Sequence, residues 1–475
     1  MAWETVIGLE LHVELNTESK LFCACPARFG AAANTQVCPV CLGLPGALPV
    51  LNGSAVDKAL IAALALNCEI NSESSFSRKN YFYPDLPKGY QITQHETPLA
   101  RGGWVELADG RRINITRLHL EEDAGKSQHT ATETLLDFNR SGIPLVEIVS
   151  EPELVRPGEA RMYVEAIRDI LRYCQVSECR MEAGELRCDA NISLRPTGSE
   201  GFGEKTELKN LNSLRALERA LNYEIGRQRQ LLASGKQISR ETRRWDENRY
   251  CTVPMRDKEQ ASDYRYFPEP DLPPLQITQT MLNTAKAQVP ELPGARASRF
   301  QEQYGLGAYD ADLLISERYR ADWFEAVLEF GVNPKAVANW LLGEVARHQN
   351  KTCQSLSELR ITPRDLGELI QLEQSGVISG NIARQVLKEM LSHGGSPAEI
   401  VQARGWSQVS DQTELAHLVA KTLADNPQSV ADYRGGKDRA LGFLVGQVMK
   451  ASSGRANPRL VKQLLTEKLG GTQKG

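Results

Sequence analysis

Several things are missing from this sequence of 475 residues, and each absence excludes a class. No run reaches the roughly 18 apolar residues that a membrane-spanning helix needs, so no membrane partner is expected. Surplus charge is missing too. The 56 Lys+Arg stand against 60 Asp+Glu, a net of −4, so no global basic field points to DNA or RNA. With 41% hydrophobic residues beside that small charge, the chain is not of the disordered type. A secretory leader is not expected. The opening MAWETVIGLELHVEL carries Glu4, Glu10 and Glu14 where a leader needs a basic start and an uncharged apolar core. A cytoplasmic location is therefore expected, where ten cysteines stay reduced. The common nucleotide and nucleophile motifs are lacking as well. DAGKS (123–127) places Leu120 where a P-loop needs glycine. No G-x-G-x-x-G follows a strand, and no H-R-D loop or G-x-S-x-G elbow occurs.

The length suggests roughly three domains. The first 155 residues read as strand-rich. Leu9, Leu11, Val13 and Leu15 alternate with Glu10, His12 and Glu14, the period of a half-buried strand. RRINITRLHLEED (111–123) alternates through Ile113, Ile115 and Leu118, and PLVEIV (144–149) is a short apolar strand holding one acid. Helices are expected after Pro157, one of them from Ser213 as N-cap to Gly235 beyond its end. FPEPDLPPLQI (267–277) has too many prolines for a helix and reads as extended. Pro290 and Pro293 mark a boundary, after which 320–348, 363–374, 380–393, 413–424 and 438–450 show helical spacing. Basic residues gather locally between Arg215 and Arg256. They gather again from Arg434 onward, where nine Lys/Arg against two acids leave +7. Such patches can follow a phosphate backbone, or can simply be solvated helix faces.

Two constellations carry chemistry. Cys23-Ala-Cys25 and Cys38-Pro-Val-Cys41 are close pairs across a loop, the arrangement that builds a tetrahedral thiolate zinc site. The first pair has one intervening residue, fewer than usual. Four thiolates leave no open position, so the expected role is structural. The other six cysteines show no ligand spacing and are expected in cores. The second constellation is carboxylates with one histidine: Glu10, His12 and Glu14 on one strand, Glu121, Glu122 and Asp123 ending another, and Glu147 among apolar neighbours. Clustered oxygen ligands suit Mg²⁺, which keeps waters for substrate phosphates. A hydrated strand face is the alternative, and for Glu14 the preferred one. Glu147 needs a partner, because a lone carboxylate among apolar residues is costly.

Taken together, VIGLELHVEL, RKNYFYPDLPKGYQI, ITRLHLEEDAGKS, FNRSGIPLVEIVSEPE, LRCDANISLRP, ELKNLNS and DYRYFPEPDLP resemble the B subunit of the bacterial tRNA-dependent amidotransferase acting on aspartyl- and glutamyl-tRNA. GFLVGQVMKASSGRANPRLVKQLL resembles its tail module, and the match runs from Glu4 to about Leu469. The resemblance implies an α+β protein. A mixed α/β, cradle-shaped catalytic domain would span 1–292 with a zinc-binding insert at 23–41. An all-α helical domain would follow at 293–404, and an all-α basic tail domain that binds tRNA at 405–475. It implies a heterotrimer with an amidase A subunit that hydrolyses glutamine and a small C subunit. It also implies ATP-dependent phosphorylation of the side-chain carboxylate of Glu on tRNA(Gln) or Asp on tRNA(Asn), followed by amidation with channelled ammonia. That is a ligase forming a carbon–nitrogen bond with ATP, Mg²⁺ and Zn²⁺. By similarity Glu10, His12, Glu122 and Glu147 fall where the family binds Mg²⁺. Cys23, Cys25, Cys38 and Cys41 fit its zinc-bearing branch.

The residues suit that chemistry. Ammonia does not displace oxide from a carboxylate, so the carboxyl group must first become an acyl phosphate. Phosphoryl transfer runs on positioning and charge neutralisation. Lys79, Lys126, Lys205 and Arg256 are the expected cations, Lys79 at the catalytic centre and the others on ATP phosphates. Two alternatives remain: a non-catalytic RNA-binding scaffold, and a stand-alone metal-dependent carboxylate–amine ligase that takes ammonia from solution.

Overall fold

Trp3–Glu14 (β1) is a strand because its apolar residues recur every second position. Leu9, Leu11 and Val13 are fully buried on one face, while Glu10, His12 and Glu14 sit half-buried on the other. The computed structural model describes residues 2–255, 264–406, 412–452, 456 and 458–470. Around β1 lie Ser77–Asn80 (β2), Tyr90–Thr93 (β3), Arg112–Glu122 (β4), Pro144–Ser150 (β5), Leu186–Pro196 (β6), Thr206–Lys209 (β7), Glu241–Asp246 (β8), Cys251–Pro254 (β9) and Phe267–Pro268 (β10). They form one thirteen-stranded sheet whose main path runs β9-β8-β7-β6-β1-β5-β4-β3-β2-β10. Three short strands at 69–70, 100–101 and 104–106 pair off that path. The pairs along the path are antiparallel except β7 with β8.

Helices Gly53–Ala65 (α1), Pro157–Tyr173 (α2) and Leu214–Ala233 (α3) contribute buried faces to the same apolar core as Leu9, Leu11 and Val13. The helix expected to begin at Ser213 does so, with Ser213 Oγ accepting from Ala216 N at 3.0 Å and Gly235 at φ +72° beyond its end. Glu159, in the first turn of α2, accepts from the backbone N–H groups of Val155 and Arg156 at 2.9 and 3.2 Å. Helix α1 lies in the region read as strand-rich. Eight of its thirteen residues are buried, so no polar stripe betrays a helical period.

The chain divides into two compact units, Met1–Leu292 and Pro293–Gly475. The first is α/β and the second helical, so the fold is α+β. The second unit holds two separate apolar clusters, one from Phe300 to Val401 and one from Leu415 to Leu469. The expected helix over 320–348 is interrupted. It ends at Leu328, restarts at Pro334 after Gly331 (φ +71°), and contains a π-helical turn at Leu341–Val345. No helix among the described residues is long and apolar enough to cross a membrane.

The sheet core sets the stability of the first unit. Leu11 is wholly buried between Ile148 and Cys188 on the neighbouring strands. Leu11→Ala should cost about 3 kcal/mol, the usual range for emptying such a site. The check is a lower midpoint in the unfolding transition; an unchanged midpoint would mean the site collapses without loss.

Candidate functional site

The open face of the sheet gathers the carboxylates. Register places His12 opposite Glu147, and Glu147 opposite His119, on three adjacent strands. His12 Nε2 lies 3.4 Å from Glu121 Oε1 and 3.6 Å from Glu147 Oε2. His119 Nε2 lies 3.3 Å from Glu147 Oε2 and 3.8 Å from Glu121 Oε2. His119, Glu121 and Glu147 are buried, while His12 keeps 22% of its side chain exposed. Burial opposes charge on His12, but the hydrogen bond to Glu147 and the Glu121 charge outweigh it and push its pKa up to about 9. Burial would likewise raise Glu147. The charge and hydrogen bond of His119, with those of His12, hold it well below the usual carboxylate range. Each carboxylate of the cluster thus favours the charged form of the imidazoles, and each imidazole that of the carboxylates.

Lys79 on β2 joins it. Its ammonium lies 5.0 Å from the Tyr264 ring centroid, and the charges of Glu121 and Glu147 keep its pKa above the ordinary lysine value despite burial. Arg187, in register with His12 on β6, meets Asp123 at 2.9 Å. Glu14 lies nearby, its pKa pushed up to about 7 by burial and by the Asp123 charge.

The expected residues divide here. The structure brings His12, Glu147 and Lys79 together, with Glu121 in the place expected for Glu122. Glu122 points to the other face of the sheet. There it pairs with Lys88, accepts from Ile92 N at 2.9 Å, and lines a cavity of about 270 Å³ with Lys20, Arg78 and Cys41. The cause is a bulge. Val149 pairs with Arg117 but Ser150 with Ile115, so Thr116 is an extra residue that reverses the alternation of β4. Leu118 and Leu120 therefore continue the core face begun by Ile113 and Ile115. Glu10 shares the open face with His12, but its carboxylate accepts from Asn191 Nδ2 at 2.8 Å. Lys126 and Lys205 are exposed, Lys126 on a separate hairpin, and among the described residues neither forms an ion pair with the cluster. Arg256 lies outside the described residues. Sequence reasoning missed His119; its place two residues before Glu121 on the same strand was the available signal.

The donor set of His12, Glu121 and Glu147, with ligand atoms within 4.8 Å of one another, fits a hard divalent cation that prefers oxygen. The four cysteines at 23, 25, 38 and 41 also lie within 4.8 Å of one another, as free thiols. Cys38 and Cys41 sulphurs are 3.9 Å apart. The edge of a tetrahedron with zinc–sulphur bonds of about 2.3 Å is about 3.8 Å, so the spacing fits. Gly43 at φ +66° lets the knuckle turn, with Leu42 N and Gly43 N donating to the carbonyls of Cys38 and Val40. The buried Lys20 ammonium lies 3.6 Å from Cys41 Sγ and donates to the carbonyls of Gln36 and Phe138 at 2.8 and 3.3 Å. A hydrogen bond from Cys23 pulls Cys41 down to about 4, against burial and with help from the Cys38 amide and Lys20. Of the six other cysteines, Cys68, Cys174, Cys179 and Cys188 are buried. Cys251 is only half-buried and Cys353 is exposed, where cores were expected.

Comparison with known proteins matches the sequence of this chain to a family. Residues 5–283 match the model of the GatB/GatE catalytic domain, and residues 322–469 match that of the GatB domain. The B subunit of the aspartyl/glutamyl-tRNA(Asn/Gln) amidotransferase of Carboxydothermus hydrogenoformans is 53% identical, over 98% of this chain and 99% of its own. The protein of the same name from Moorella thermoacetica is 52% identical over 99% and 100%. That from Geobacillus kaustophilus is 53% identical over the same shares. Matched end to end and in both of its units, the chain belongs to the family of amidotransferase B subunits.

Proposed function

We propose that the chain is the activating subunit of a tRNA-dependent amidotransferase, a ligase that makes a carbon–nitrogen bond with glutamine as amide donor. A side-chain carboxylate oxygen of Glu on tRNA(Gln), or of Asp on tRNA(Asn), attacks the γ-phosphorus of ATP, and ADP leaves. Ammonia, released from glutamine by an A subunit and channelled to this site, then attacks the acyl carbon, and phosphate leaves. A small C subunit completes the heterotrimer. The names of the relatives support the tRNA and amide chemistry. The observation that carries the site assignment is the meeting of His12, Glu121 and Glu147 on the open sheet face, with Lys79 beside them.

In this reading His12, Glu121 and Glu147 hold Mg²⁺, with Glu10 next along β1. When bound, such an ion supplies charge neutralisation for phosphate oxygens. Lys79 offers a second positive charge to the phosphoryl group, fixed by the Tyr264 ring and the two carboxylates. The Lys126, Lys205 and Arg256 contacts to ATP remain proposals from the sequence alone. Cys23, Cys25, Cys38 and Cys41 hold Zn²⁺, which ties the 23–41 insert and leaves no open coordination position.

Transamidation of Glu-tRNA(Gln) with glutamine and ATP tests the reading, with and without added A and C subunits. Amide formation should need all three chains. Tight tRNA binding with no ATP cleavage would favour a scaffold instead, and full activity of the chain alone a free-standing ligase.

The tail carries its own expectation. Arg434, Arg439, Lys450, Lys462 and Lys468 are exposed on its helices and Lys437 on the loop between two of them, suiting the backbone of a tRNA body. Ending the chain near Gly405 should leave zinc content and partner assembly intact. It should weaken tRNA binding and flatten its salt dependence, by about 0.7–0.9 log units of slope for each phosphate no longer neutralised. Equal affinity and equal slope in the truncated and full-length complexes would rule the tail out.

A further inference from the structure

We propose that His119 is a positioning residue that holds the Glu121 and Glu147 carboxylates in place for the cation, from the side away from substrate. The inference rests on the metal reading above and adds a residue to it. Its basis is a shared oxygen. Glu147 Oε2 lies between the two imidazoles, 3.6 Å from His12 Nε2 and 3.3 Å from His119 Nε2. Glu121 divides its oxygens, Oε1 toward His12 at 3.4 Å and Oε2 toward His119 at 3.8 Å. Both carboxylates are thus gripped from two sides by the same pair of rings.

The two rings are not equivalent. His12 is partly open, whereas His119 is 2% exposed and sits where solvent does not reach. His12 completes the three-residue donor group with Glu121 and Glu147, and His119 stands outside it. His119 Nδ1 is buried with no hydrogen-bond partner, so all the polar contact of this ring is made through Nε2. Nε2 is the ring nitrogen with an acceptor beside it, so the ring donates from Nε2 to Glu147. A buried donor behind a ligating carboxylate fixes which oxygen faces the ion and where. Register makes that grip rigid: His119 is paired directly across from Glu147 on β4 and β5, two residues before Glu121 on the same strand.

Two substitutions separate positioning from simple core filling. The side-chain amide of Gln reaches about as far as Nε2 of histidine; that of Asn reaches only to Nδ1. The test uses the full complex with its partner subunits and reads Mn²⁺ binding directly by electron paramagnetic resonance, beside the Mg²⁺ dependence of amidation. His119→Asn and His119→Leu should weaken Mn²⁺ binding by about 10–100-fold, the range for removal of outer-shell partners. His119→Gln should recover most of that affinity. Zinc content and tRNA affinity should not change in any of the three. Mn²⁺ affinity equal to the unaltered complex in both His119→Asn and His119→Leu would overturn the role of His119 and leave the metal site standing. Equal affinity of His119→Asn and His119→Gln would also overturn it, should the leucine variant fail to fold. No Mn²⁺ binding by the unaltered complex would overturn the metal reading and, with it, this one.

Discussion

Glu147→Gln should reduce amidation of Glu-tRNA(Gln) by at least two to three orders of magnitude, about the cost of removing one preorganised electrostatic contact from a transition state. The substitution keeps the side-chain volume and removes only the charge. Glu147 is buried at the centre of the row His12–Glu147–His119, and its carboxylate is what both imidazoles contact. An amide there is a poor metal ligand and presents neutral oxygen to two ring nitrogens. The loss should be specific to chemistry. The glutamine variant should assemble with its partners, keep its zinc, and bind tRNA within about twofold of the unaltered complex, since phosphate contacts dominate that affinity. Glu121→Gln should behave alike, because Glu121 shares both imidazole contacts. Single-turnover amidation at limiting Mg²⁺ is the measurement. Rates near those of the unaltered enzyme would show that neither carboxylate acts in the reaction.

The double change Cys38→Ser, Cys41→Ser should remove close to one zinc per chain and lower the thermal midpoint of the first unit by several degrees. Structural zinc contributes directly to folding free energy. A second cost arises at Lys20. Its buried ammonium lies beside Cys41 Sγ, and without a thiolate there it keeps only two carbonyl contacts for a full charge. The insert from 23 to 41 should therefore loosen, not merely lose an ion. Metal analysis and thermal melting of the purified variant decide the matter. Full zinc occupancy in the double variant would show that the four thiols are not the ligands.

Much of this was legible in the sequence, and the exceptions have physical causes. The alternation of Leu9, Leu11 and Val13 with Glu10, His12 and Glu14 announced a strand with one wet face, which is what β1 is. Ser213 and Gly235 marked the ends of α3 because capping chemistry is local. Helix α1 was hidden, since Ala55, Ala59, Leu60, Ile61, Ala62 and Ala63 bury themselves on nearly every side. The carboxylates were legible as a group, with Glu121, Glu122 and Asp123 at the end of β4, and the resemblance singled out Glu122, whereas the structure sets Glu121 beside His12 and Glu147. Counting by twos from Ile113 and Ile115 puts Glu122 on the open face, and only the bulge at Thr116 exchanges it for Glu121. A bulge is set by pairing with a distant strand, so the sequence of β4 alone does not reveal it. His119 escaped for the same reason, because its partner Glu147 is a neighbour only after β4 and β5 pair.

The central claim is that the site phosphorylates the carboxylate before ammonia attacks. The most direct test labels both side-chain oxygens of the glutamyl group on tRNA(Gln) with ¹⁸O and follows one round of amidation by the full complex with ATP and glutamine. If an acyl phosphate forms, one labelled oxygen stays with phosphorus when ammonia displaces it. The inorganic phosphate released should then carry one ¹⁸O for each amide made, and the Glu147→Gln complex should release it at least about a hundredfold more slowly. Amide formation accompanied by unlabelled phosphate would contradict the account.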